Sequence, residues 1–147
     1  MIDFSTTTAF RLVRRLATGQ DSAAIYLLIY EETERVAIVA DLRAEAEVQL
    51  GIPLLVGQVG DEFGVNDFAS LPDTGQIRAF RVDHDSSDLV TLLDTHVVRL
   101  ERTGAQFLFL ATGTVAEKLL VKAPNFRSRL TEVMRIVPDD LSGSGLH

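Results

Sequence analysis

The sequence predicts a three-layer α/β domain: a mainly parallel or mixed sheet of about five strands, with helices on both faces. Two observations carry this. Between Asp83 and Ala123 a capped amphipathic helix leads into a short uncharged strand, then a glycine turn, then a second helix. The same outline of strand, helix, strand and glycine runs from Ala23 to Gly60 and again from Gln76 to Gly113. Residue identity between the two halves is poor, so they read as two βα units of one sheet and not as a duplication.

The elements follow in chain order. Ser5 to Ala17 predicts a helix with Phe10, Val13 and Leu16 or Ala17 inward and Gly19 as its stop. Ala23 to Tyr30 is an apolar, β-favouring run and predicts a strand. Glu31 to Glu34 is a charged turn or helix start. Arg35 to Ala40 (RVAIVA) reads either as a strand pairing back in a hairpin or as the beginning of a helix that continues to Leu50. Its β-branched residues favour a strand, followed by a helix from Asp41 that Gly51 closes. Ile52 to Val59 predicts a further strand. From Gly57 to Gln76 glycines and Pro72 mark a long irregular loop, and Gln76 to Val82 alternates as a strand with one wet face.

Asp88 to Arg102 places Leu89, Val90, Leu93, Val97 and Leu100 on one side at helical spacing. Ser86 or Ser87 supplies an oxygen for its first amides, and Gly104 closes it. Phe107 to Ala111 is too short for a buried helix and carries no charge, which predicts a strand covered on both faces. Thr114 to Glu117 matches a capping box, and Pro124 disfavours helix at Ala123. Asn125 to Val137 fits either a helix, with Phe126, Leu130, Met134 and Val137 as its stripe, or an edge strand from Glu132. That stripe is the surface on which a homodimer is expected. Residues 1–138 read as one domain and 139–147 as a flexible tail.

Composition narrows the function classes. With 147 residues, 46% of them hydrophobic, the chain has material for one core. It has no cysteine, so disulfides and thiolate chemistry are excluded. A net charge of −7 opposes general nucleic-acid binding, because neutralising phosphates requires a surplus of Lys and Arg. No apolar run approaches the roughly 20 residues that span a bilayer, and the start lacks the order of a secretory signal. A cytoplasmic protein without membrane association is the expectation.

Two stretches are candidate ligand sites. Asp83, His84 and Asp85, with Asp88 one turn on, stand where a strand ends and a helix begins, the edge at which open α/β sheets bind ligands. Neighbours on extended backbone point to opposite sides, and acids at a helix start already favour its positive end. Thr112, Gly113 and Thr114 form a small polar turn of the kind that cradles phosphate with backbone amides. Glu31 and Glu32, neighbours in sequence, read as a solvated turn and not an acid–base pair, although they follow a hydrophobic strand, a position that in many α/β proteins faces a ligand cleft. There is no GxxxxGK[ST], no GxSxG and no recurrent histidine spacing, so neither a catalytic constellation, a metal site nor a cofactor is expected.

Two family resemblances attach to these residues. His84-Asp85 followed by Ala111-Thr112-Gly113-Thr114 resembles the first half of methylglyoxal synthase over about a third of the chain. This implies a phosphate-holding role there, although Asp88 stands where that family has a lysine. Phe109 to Leu120, followed by Asn125 to Leu130, resembles the later part of some AAA+ ATPases, and the Walker lysine motif that should precede it is missing. Neither amounts to membership. The expected function is a non-catalytic binding, assembly or regulatory domain acting through a protein partner. The alternative is a small phosphate-ligand binder or enzyme built on Asp83, His84, Asp85 and Thr112 to Thr114.

Overall fold

A computed structural model describes residues 5–18, 24–54, 56–59, 77–83, 86–102 and 106–139. The strands are β1 (Ser5–Thr8), β2 (Ala24–Tyr30), β3 (Val56–Val59), β4 (Ile77–Val82), β5 (Gln106–Thr112) and β6 (Glu132–Val137). The helices are α1 (Ala9–Thr18), α2 (Arg35–Glu45), α3 (Ser87–Arg102), α4 (Gly113–Lys122) and α5 (Pro124–Ser128). A 3₁₀ turn, Glu32–Glu34, leads into α2, and a π-helical turn, Ala46–Leu50, follows it. The six strands form one sheet in the order β1-β6-β2-β5-β4-β3, and every pairing is parallel. The predicted three-layer α/β architecture is therefore present, with one strand more than expected.

Parallel neighbours need a crossover, and the crossovers use both faces. Helices α1 and α2 cover the first face, where Leu12, Leu16, Ile38 and Leu42 pack on Tyr26, Leu28, Leu108 and Leu110. Helices α3, α4 and α5 cover the second, where Leu93, Val97, Leu119 and Phe126 pack on Leu27, Phe80, Phe107 and Phe109. Alternate residues of β5 feed alternate cores, so its run without charge is apolar on both sides, as anticipated. Phe109 stacks on Phe80 at 5.8 Å and meets the edge of Phe126 at 5.3 Å.

Several expectations are corrected. The run Ser5–Thr8 is a strand and not the first turn of a helix. Its threonines suit a pleated strand, and Thr8 caps α1 by accepting the Arg11 amide at 3.3 Å. The RVAIVA stretch is helical, and no hairpin forms. Both edges of β2 are taken, by β5 and β6, so nothing remains for a returning strand to pair with. Only Ile38, Leu42 and Ala46 of this segment are buried, at spacings of four, while Val36 is 76% exposed. Gly51 closes the segment with φ of 68°, as its position implied.

Ser86 caps α3, accepting the Leu89 amide at 3.3 Å. Gly104, the 60–76 stretch and the tail from 140 lie outside the described residues. The capping box is absent. Helix α4 begins at Gly113 with Thr112 as its N-cap and no side-chain cap, so Thr114 sits inside the first turn. Asn125 to Val137 divides into a short helix and a strand, and that strand is interior, between β1 and β2. Phe126 enters the second-face core and Met134 the first-face core, so the stripe on which a homodimer was to seat does not exist.

Candidate functional site

The strand order creates a crevice at a defined place. The helix after β2 packs on the first face, and the helix after the neighbouring β5 packs on the second. The two connections diverge at the carboxyl ends of β2 and β5, where open α/β sheets hold ligands. Tyr30 and Thr112 are register partners at that point. Asp83 extends β4 one residue beyond Val82, whose partner on β5 is Ala111, so Asp83 reaches the same edge.

Of the predicted site residues, the structure brings Asp83, Thr112, Gly113 and Thr114 to one edge of the sheet. His84 and Asp85 lie outside the described residues. Asp83 forms an ion pair with Arg81 at 3.4 Å and is largely buried. Thr112 is half-buried, and Gly113 and Thr114 are exposed. The first turn of α4 contains no acidic residue, so its positive end is uncompensated by its own side chains.

Tyr30 also belongs to this edge and was visible in the sequence only as the last residue of an apolar strand. It is 4% exposed, and its hydroxyl has no hydrogen-bond partner among the described residues. Burial raises the phenol pKa above its ordinary value, and the negative charges of Asp83 and Glu32 raise it further against Arg35 and Arg81. The proton is therefore held, and the phenol is a donor.

The junction between β2 and α2 is the position at which a phosphate-binding loop would follow a strand. It carries Glu31, Glu32 and Glu34 and no glycine. Three carboxylates at a helix start satisfy the dipole themselves and repel phosphate. Among the described residues no group of three His, Asp or Glu side chains is placed to hold a metal ion.

A second feature opens from the same crevice. On the second face α3 and α4 lie over β4, β5 and β2, while among the described residues β6 has no helix above it. Along β6, Val133 and Val137 are half-buried and Arg135 is exposed. The result is an open groove of about 940 Å³ between β2, β6, α4 and α5. Ile29, Leu120, Leu130 and Val133 give it apolar walls, and Val121, 66% exposed, stands at its rim. Glu31, flagged in the sequence as facing a cleft, lines it and pairs with Arg135 at 3.3 Å.

The charges near the groove are mostly matched. Glu132 is bound by Arg15 at 2.7 Å, and outside the groove Arg129 holds Glu101 at 2.6 Å. Glu117 and Arg127, both exposed, have no ion-pair partner among the described residues. Of the three arginines Arg127, Arg129 and Arg135, two are thus in ion pairs and Arg127 has none among the described residues.

Comparisons with protein-family models, with curated proteins and with solved structures find no match to this chain. Among the described residues no helix is long and apolar enough to cross a membrane.

Proposed function

We propose that this chain is a non-catalytic binding and assembly domain that works through a protein partner. The observation carrying this is the groove on the second face, where sheet and helix flanks with apolar side chains remain open among the described residues. Apolar surface left accessible between otherwise packed layers is what an interaction site requires. The acidic β2–α2 junction adds support, since it removes the phosphate cradle that catalysis on nucleotides would need there.

The test compares affinity capture from the native host by wild type and by Val121→Glu. Val121 is exposed, so the variant folds normally while charging the groove rim. A protein retained by wild type and lost by the variant, with equal melting temperatures, is the expected result. Identical capture by both forms, or none by either, overturns the reading.

A second reading is favoured by the Tyr30 hydroxyl, buried with no partner among the described residues at the sheet edge that Asp83 and Thr112 also reach. It is a small phosphate-ligand binder using Asp83, His84, Asp85, Thr112, Gly113 and Thr114. A ligand bound only by the folded chain raises the unfolding temperature, so a panel of phosphorylated metabolites with Mg²⁺ or Zn²⁺ tests it. Absence of any shift removes it.

A further inference from the structure

The groove has a direction, and that direction constrains what fills it. Helix α4 begins at the carboxyl edge of the sheet, where β5 ends, and runs back toward the amino edge. Glu117, in its second turn, therefore lies toward the carboxyl edge. Arg127, on α5 just before β6 begins, lies at the amino edge. With Glu31 bound to Arg135 and Glu132 to Arg15, the unbalanced charges are one carboxylate at one end and one guanidinium at the other. Between them run Leu120, Val121, Leu130 and Val133.

We infer that the groove receives an amphipathic α-helix of a protein partner, docked beside α4 and pointing the same way. This rests on the partner-binding function proposed above. A helix carries partial positive charge at its N-terminus and negative charge at its C-terminus. The first complements Glu117 and the second Arg127, and only one orientation satisfies both. An apolar stripe at helical spacing matches the apolar walls, the mode by which helices seat in grooves. The docked helix takes the layer position over β6 that the described residues leave open, antiparallel to the strands like the fold's own crossover helices.

The experiment places the photo-crosslinker p-benzoylphenylalanine at Thr114, near the carboxyl edge, or at Val121, farther along α4. Both positions are exposed. The full chain is expressed in the native host, irradiated, and the attached peptides are sequenced. The expected product is one segment of another protein with apolar residues at i, i+3, i+4 and i+7. Thr114 attaches toward its N-terminal end and Val121 toward its C-terminal end. Glu117→Lys with Arg127→Glu should lower the yield about tenfold or more.

Reversed end-to-end attachment overturns the orientation and with it the charge assignment. A segment with alternating or proline-rich pattern, or one from a second copy of this chain, overturns the helix while leaving a partner at the groove. Capture of a Val121-dependent partner without crosslinking at either position overturns the helix and keeps the partner-binding function. Absence of both overturns both.

Discussion

At the residue scale, the clearest consequence is that caps and contacts are assigned to particular atoms. The Asp94 carboxylate on α3 accepts the backbone amides of Asn125 at 2.7 Å and Phe126 at 3.1 Å. It therefore serves as the cap that Ala123 cannot supply to α5. Replacing Asp94 with Ala should cost about 1–2 kcal/mol in urea unfolding, since two amides lose a partner. Thr114→Ala, by contrast, should change stability by less than about 0.5 kcal/mol, because Thr114 is exposed and lies inside the helix. Tyr30→Phe removes a buried hydroxyl with no partner, so equal or higher stability at pH 7 is expected. The phenol pKa is raised on folding from its ordinary value of 10.0. Stability is unaffected by this ionisation below about pH 10 and falls as pH rises toward the folded value, because the unfolded chain loses the proton first. Melting temperatures of wild type should consequently fall more steeply above pH 10 than those of Tyr30→Phe.

At the element scale, what the sequence made legible depends on whether local pattern and tertiary environment agree. They agree for α3, where five apolar residues share one side and all are buried. They agree again for β5, whose lack of charge reflects two covered faces. They disagree for Arg35–Glu45, where β-branched residues favour a strand while the saturated edges of β2 require a crossover. Local sequence contains no record of which edges are free. A pair of variants separates the two forms. Ile38→Ala should cost about 2–4 kcal/mol, because the side chain is 1% exposed, whereas Val36→Ala should be neutral or slightly stabilising through helix propensity. A strand pointing Val36 and Ile38 to the same side would instead penalise both. The candidate crevice was legible at Asp83 and Thr112–Thr114 because strand-to-helix junctions are readable. Tyr30 and the groove were not, since both depend on strand order.

At the scale of the whole molecule, one sheet couples two cores. Strands β2 and β5 contribute side chains to both, so neither face has a scaffold of its own. Phe126→Ala on the second face should destabilise the protein by about 3–5 kcal/mol. The two tyrosines both belong to the first-face core, and there is no tryptophan, so tyrosine fluorescence reports that face alone. Its midpoint should nevertheless shift together with that of far-ultraviolet circular dichroism, as one cooperative transition demands. Separate midpoints would mean that the faces unfold independently.

The strand order has a further consequence during synthesis. β2 is made early, yet its two neighbours begin at Gln106 and Glu132. At roughly 5–20 residues per second the ribosome leaves the apolar run Ala24–Tyr30 without either flanking strand for several seconds. Among the described residues no hairpin relieves this, because every strand pairing is parallel. A nascent chain that has emerged only as far as β4 holds one of the sheet's five strand pairings, β3–β4, and none for β2. It is at this stage that the chain is most exposed to edge-to-edge association, and most dependent on whatever shields a growing polypeptide.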